Sequence, residues 1–317
     1  MSVQELDLAV TFLDVGHGDA AILRFREDRL VRTIIVDGGG PAHSGDLLAF
    51  LLRNGITVVD LLVATHVDRN HIAGLLPVVE SEEIVVHHFW GPVCESAQPS
   101  VAGLRLPDER AYQRFYSKIL TKVRPEHVFS PVRGVVPPAI FTEAAITVLN
   151  PPMENVLKIP PKDVPPKKPS DAEAEQDMLT LVLHIESHGI RILLGSDARD
   201  TFWAAALRDP ALQRFLDVNV FKVPRYGQAV GFPPDAASVV HAEYAVFSLG
   251  TDEDQQPAGE VVALFRDMQA EVLCTQHAER NAFCGNPHCH AANGGQNVVF
   301  CRVKGDSSYS NSAYSCP

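Results

Sequence analysis

The 317-residue chain has no uninterrupted apolar run of the ~18 residues that a transmembrane helix requires, so none is expected. Its first ten residues also lack the basic-then-apolar layout of a secretory signal. Glu5 and Asp7 stand there instead, and a cytoplasmic location is the expectation that follows. Positive charge is scarce: 27 Lys and Arg face 39 Asp and Glu, a formal net charge of −12. That balance argues against a protein that coats nucleic acid, which needs concentrated cationic side chains to meet phosphates. It leaves open an enzyme that cuts nucleic acid at a metal, because the ion supplies the local positive charge. No tandem repeat is visible, and no membrane partner is expected.

What is present suits a large buried core: 46% of the residues are hydrophobic, and the length accommodates one large α/β domain or two small ones. Leu8–Leu13, Ala20–Phe25 and Thr33–Val36 read as strands, the first ending at Asp14-Val15-Gly16-His17-Gly18-Asp19 and the third at Asp37-Gly38-Gly39-Gly40. Asp46–Asn54 carries Leu47, Leu48, Leu51 and Leu52 at helical spacing, with Gly55 where a helix C-cap belongs. Val58–Ala64 is apolar except for Asp60, the pattern of a strand buried on both faces. Strand, helix and buried strand in that order predict an α/β layered fold.

Further along, Arg110–Val123 reads as a helix and Ala145–Leu149 as a short strand. Leu179–Glu186 and Ile190–Leu194 read as a strand pair turning at His188-Gly189. Helices are expected at Thr201–Arg208 and Ala258–Gln269, and strands at Val218–Val223, Tyr244–Leu249 and Glu271–Leu273. Pro151–Ser170, rich in Pro and Lys, is expected to be an exposed loop or lid.

The stretch Thr65-His66-Val67-Asp68-Arg69-Asn70-His71-Ile72-Ala73-Gly74 carries the chemistry. It leaves a buried strand and offers two imidazoles and a carboxylate within six residues, the donor types that hold zinc, manganese or iron. A polar surface loop is the plainer alternative. The position just past a buried strand favours the ligands.

These residues resemble the His-x-(His/Asp)-x-Asp-His signature of metallo-β-lactamase-fold hydrolases. More narrowly, they are similar to the metallo-β-lactamase domain of the DNA-uptake competence protein ComEC. Phe12–Ala20, Ile35–Gly39 and Arg191–Ala198 resemble three further motifs of that group in the same order, so the likeness spans residues 8 to 303. The resemblance implies an αββα sandwich covering residues 1–305, followed by a tail at 306–317. It implies that His66 and Asp68 hold one divalent metal (Zn or Mn), that His71 holds a second, and that Asp197 bridges them. Catalysis then falls to Asp68, Asn70 and Asp197, with Asp14, Asp19 and Asp37 in supporting or turn-forming positions.

Two departures stand against a full pair of metals. Asn70 occupies the place of an aspartate that is usually both ligand and proton acceptor, and an amide does neither well. Lys222-Val223-Pro224-Arg225-Tyr226-Gly227 replaces a Val-Pro-His-His-Gly run, so a metal-binding His gives way to Arg225. Arg225 is expected to approach Asp197 if it substitutes for a lost cation. His87 or His88 could supply a missing donor, against the blander reading of a solvated strand end.

A second constellation lies at 274–301. Cys274 and His277 are spaced C-x2-H, Cys284 and Cys289 are spaced C-x4-C, and His290 and Cys301 follow. Cys274, Cys284, Cys289 and one of His277, His290 or Cys301 form a candidate structural zinc knuckle, free thiols being the alternative. Two functions compete. One is a metal-dependent hydrolase, a phosphodiesterase or nuclease acting on nucleic acid or a nucleotide. The other is a catalytically impaired binding or regulatory subunit working with a protein partner.

Overall fold

The computed structural model describes residues 6–92, 109–135, 137, 139–156, 178–250, 256–275, 297–303 and 309–312. In chain order the strands are β1 Leu6–Phe12, β2 Ala21–Glu27, β3 Leu30–Val36, β4 Val58–Val63, β5 Val85–Trp90, β6 Val128–Phe129 and β7 Ala144–Asn150. Then follow β8 Val182–Ser187, β9 Ile190–Leu194, β10 Asp217–Lys222, β11 His241–Phe247, β12 Glu271–Cys274, β13 Val298–Val303 and β14 Tyr309–Ser312. Among the described residues, no helix is long and apolar enough to cross a membrane.

Two sheets form. One runs β14-β13-β1-β2-β3-β4-β5-β6 and the other β12-β11-β10-β9-β8-β7. Each is mixed: β13, β1, β2 and β3 pair antiparallel while β3 to β6 are parallel, and β7, β8 and β9 pair antiparallel while β9 to β12 are parallel. Period-two alternation explains the layering. On β1, Leu8, Val10 and Phe12 enter a cluster shared with Leu183, Ile185, Ile192 and Leu194 of the other sheet. Helices cover both outer faces. Leu47 and Leu51 of the helix Asp46–Arg53, with Phe115 and Ile119 of the helix Glu109–Lys122, pack on the first sheet. Phe202 and Trp203 of the helix Asp200–Ala206, with Phe265 of the helix Gly259–Asp267, pack on the second. This is an αββα sandwich, two mixed sheets face to face with helices on both outer faces, the layering that the motif resemblance implied.

Local signals read from the sequence explain several boundaries. The helix Asp46–Arg53 stops because Gly55 takes φ +64°, letting its N–H reach Leu52 O at 3.1 Å while Ile56 N reaches Leu51 O at 2.8 Å. That pair of bonds is the Schellman closure that a left-handed glycine permits.

Other expectations are corrected. Met153–Val156, within the expected loop, forms one helical turn; residues 157–170 lie outside the described residues. The expected tail contributes β14, antiparallel to β13, which is itself antiparallel to β1. Its Ser-rich sequence carries no alternation of apolar residues, and only pairing against an existing edge makes it a strand.

The cysteines Cys274 and Cys301 do not share a site. Cys274 is buried under the helices of the second sheet and is not disulfide-bonded, whereas Cys301 packs with Leu6 and Val299 in the first. Cys301 is also disulfide-bonded, so it presents no thiolate. Cys284, Cys289, His277 and His290 lie outside the described residues.

One buried histidine of the scaffold sets an acid limit on stability. His184 of β8 packs its ring 5.2 Å from that of Phe215, and burial, helped by Arg191, lowers its pKa from 6.5 to about 4. A depressed histidine pKa gives stability that is complete above 6.5 and is lost as pH falls towards about 4. His184→Leu is therefore expected to shift the acid-unfolding midpoint, followed by circular dichroism, to lower pH. An unmoved midpoint would show that other groups control acid unfolding.

Candidate metal centre

The parallel strands β3, β4, β9 and β10 all deliver their C-terminal ends to one edge of the sandwich, bringing Asp37, His66, Asp197 and Arg225 together from distant parts of the chain. Within that edge, ligand atoms of His66, His71 and Asp197 lie within 4.8 Å of one another, and all three residues are buried. His66 Nε2 is 3.5 Å from Asp197 Oδ2, His71 Nε2 is 3.3 Å from Asp197 Oδ1, and the two imidazole rings are 4.2 Å apart.

Hydrogen bonds behind this cluster determine which nitrogen faces it. Asp37 accepts from Thr65 N at 2.8 Å, from Thr65 Oγ1 at 2.7 Å and from His71 Nδ1 at 2.8 Å. Thr65 spends its only hydroxyl proton on Asp37. Its oxygen then accepts from Ser196 Oγ at 2.7 Å, and the 3.0 Å contact with His66 Nδ1 leaves the imidazole as donor. Thr180 Oγ1 completes the chain, 2.8 Å from Ser196 Oγ. Both rings thus carry a proton on Nδ1 and, when neutral, turn the Nε2 lone pair towards Asp197.

Two lone pairs and a carboxylate aimed at one another repel unless a cation lies between them. His66 Nε2 and Asp197 Oδ1 are sealed from solvent and have no hydrogen-bond partner among the described residues. The donor set, two imidazole nitrogens and a carboxylate, is one that zinc and manganese accept. These residues therefore fit a single divalent ion. In its place a proton serves: although burial opposes charge on His71, Asp37 and Asp197 raise its pKa well above the usual histidine value. Burial likewise opposes charge on Asp197, yet His71 and His66 hold its pKa well below the carboxylate range.

The backbone delivering these groups is bent into left-handed conformations at non-glycine residues: Asp37 at φ +60°, Ser196 at +46°, Arg225 at +46° and Tyr226 at +58°. Each such residue costs on the order of 1–3 kcal/mol, so it persists only where its surroundings enforce it. Here Asp37 N bonds Val63 O at 2.9 Å, and Arg225 N bonds Ser196 O at 2.9 Å.

The turn after β10 takes the position where a second metal was expected. Arg225 Nη1 lies 3.6 Å from Asp197 Oδ2, as expected for a substitute cation, and the Tyr226 hydroxyl lies 3.2 Å from His71 Nε2. Burial, reinforced by Asp197 and other nearby carboxylates, raises the Tyr226 pKa well above its usual value and keeps it a phenol. Buried Lys222 pairs with Asp19 at 2.8 Å.

Asp68 caps the short helix Arg69–Ile72, accepting from Asn70 N at 2.8 Å, and its carboxylate is not one of the three converging groups. Asn70 supports the neighbouring turn, its carbonyl oxygen accepting from Asp19 N at 3.3 Å. His87 and His88 lie in the middle of β5 and have other partners. His88 Nδ1 meets Asp60 O at 3.0 Å and its ring stacks on His127, while His87 lies 3.8 Å from the Asp60 carboxylate.

Sequence reasoning passed over four contributors: His17, Thr180, Ser196 and Lys222. His17, Ser196 and Lys222 lie within stretches already singled out and Thr180 just ahead of β8, and of the four only the histidine is a residue type that points to such a site.

No family model and no curated protein matches the chain. Among solved structures it is similar to the metallo-beta-lactamase fold protein YhfI from Bacillus subtilis, at 12% identity and TM-score 0.42, over 84% of this chain and 85% of that one. It is also similar to Zn(2+)-bound PqqB from Methylobacterium extorquens, at 11% identity and TM-score 0.46, over 84% and 97% of the two chains. A diphosphatase from the PhnP family gives 11% identity and TM-score 0.43 over 93% and 99%.

Asp37→Asn places an amide N–H where Thr65 and His71 already donate, or turns its oxygen away from one of them. Zinc affinity, measured by chelator competition, is expected to fall about 10- to 100-fold. Unchanged affinity would show that the carboxylate does not orient the ligands.

Proposed function

We propose that the protein is a metal-dependent hydrolase of phosphodiesters working with a single divalent ion, with Arg225 supplying the positive charge of an absent second one. The observation that carries this reading is the convergence of His66, His71 and Asp197 ligand atoms within 4.8 Å of one another in a buried cradle. Zinc or manganese held there supplies Lewis-acid polarisation of a phosphoryl oxygen and lowers the pKa of water.

The chain's own residues divide the remaining work. Thr65, Ser196, Thr180 and Asp37 hold the two imidazoles in register. Arg225, fixed by its strained turn, offers a guanidinium that cannot lose its proton and suits a phosphate oxygen. Tyr226, kept as a phenol, is a neutral donor beside it. The competence-protein resemblance of the motifs around Asp14, Asp37, His66 and Asp197 supports a nucleic-acid or nucleotide phosphodiester as substrate. The acidic net charge of −12 makes metal and Arg225 the means of attracting it.

A second reading rests on the same 3.6 Å contact between Arg225 and Asp197. If Arg225 permanently neutralises Asp197, the pocket binds an anion without cleaving it, and the chain serves as a regulatory subunit.

Metal analysis and a phosphodiesterase assay with manganese separate the two. The hydrolase reading expects about one equivalent of bound metal per chain at the His66 site, and turnover that His66→Ala abolishes together with that metal. A silent parent, paired with strong activity in the Asn70→Asp, Arg225→His double variant, would overturn it in favour of the disabled site.

A further inference from the structure

Hydrolysis at this cluster requires a group that takes a proton from water, and the residues around the cluster leave few free to do so. The Nδ1 atoms of His66 and His71 are committed to Thr65 and Asp37, and their Nε2 atoms to the cluster. Asp37 already accepts three hydrogen bonds, Asp19 is paired with Lys222, and Asp197 belongs to the cluster. Asn70 is an amide and accepts no proton at neutral pH.

His17 stands apart from these. It sits on the turn between β1 and β2, and its backbone is held by glycines rather than by its ring. Gly16 takes φ +64°, a Cβ on Gly18 would lie 2.5 Å from Asn70 O, and one on Gly40 would lie 2.9 Å from His17 O. Only glycine permits approaches this close, so the turn fixes the imidazole without using its nitrogens. The ring lies against Tyr226, with centroids 4.0 Å apart, and the Tyr226 hydroxyl in turn meets His71 Nε2. His17 Nδ1 is sealed from solvent and has no hydrogen-bond partner among the described residues.

The charged groups facing His17 come from every element around it. Asp19 lies on its own turn, Asp68 and His71 follow β4, and Asp197 follows β9. Lys222 and Arg225, at the end of β10, are engaged with Asp19 and Asp197. On the outer side the His43 ring borders Gly16 and is paired with Asp46 at 2.8 Å.

We propose that His17 is the proton-transfer residue of this site, a role that rests on the hydrolase reading above. As the bond from the water oxygen to phosphorus forms, the bond from phosphorus to the leaving oxygen breaks. The water proton passes to His17 Nε2, the ring nitrogen that is not sealed, and from there to the departing oxygen, so the ring ends as it began. Burial, against the pull of Asp19, Asp197 and Asp68, lowers the pKa of His17 below its ordinary 6.5, which leaves the ring neutral and able to accept at pH 7.

The test uses the full chain loaded with manganese, with bis(p-nitrophenyl) phosphate as probe. His17→Gln is expected to lower kcat about 100-fold, with KM and bound metal unchanged. The fall in rate that the parent shows below pH 6.5 should disappear in this variant. His17→Ala should behave alike and regain part of its rate with added imidazole. In the metal-free protein, the His17 ring resonance should titrate below 6.5. An active parent whose His17→Gln variant keeps its kcat and its acid limb sinks the His17 role alone. Loss of metal from His17→Gln would overturn it too, making His17 a ligand. A parent that binds metal yet does not turn the probe over fails as a hydrolase, and the proton-transfer role fails with it.

Discussion

The edge of this sandwich is organised around one electrostatic constraint. Two imidazole lone pairs and a carboxylate are held face to face in a buried pocket, and only a positive charge between them makes that arrangement tolerable. Everything around His66, His71 and Asp197 serves to maintain the opposition. The Asp37–Thr65–Ser196–Thr180 chain forbids either ring from turning its Nε2 lone pair away. The buried Lys222–Asp19 pair and the Arg225 contact balance the remaining carboxylates. Burial makes each of these interactions count for more, because low local polarity strengthens charge–charge attraction and equally penalises any group left without a partner.

The fold explains how such a cluster is assembled from residues more than 130 positions apart. Parallel strands in both sheets end at the same edge, and β3, β9 and β10 are each followed by a sharp left-handed bend, at Asp37, Ser196 and Arg225–Tyr226, whereas the chain leaves β4 towards His66 without one. Asp37, Ser196, Arg225 and Tyr226 put four of the seven positive-φ non-glycine residues among the described residues at the functional edge. Rigid sheets thus provide the positional accuracy, while the short turns provide direction.

Much of this was legible in the sequence. Val58–Ala64 reads as a buried strand because it is apolar throughout, and the donors of His66 and His71 follow it at once. Asp197 was placed by resemblance of Arg191–Ala198, and the approach of Arg225 to Asp197 follows from a guanidinium replacing a cation. What stayed illegible has a common cause. Thr65, Thr180 and Ser196 are ordinary polar residues whose role exists only once two sheets meet. Asp68 reads as a ligand from its spacing, yet its carboxylate competes for Asn70 N at the start of a helix and caps it instead. Cys274 and Cys301 are near in sequence but fall on different sheets, a separation that spacing cannot reveal. The strand β14 lacks any apolar pattern, since pairing alone creates it.

The central claim is that the protein matrix, not the ion, sets the tautomers of both ligand histidines. Long-range nitrogen–proton correlation spectra of the uniformly nitrogen-15-labelled, metal-free protein test this most directly. The account predicts that His66 and His71 both carry their proton on Nδ1, and that zinc shifts the Nε2 resonance of each while leaving Nδ1 protonated. A metal-free His66 protonated on Nε2 alone, or zinc arriving on Nδ1 of either ring, would contradict it.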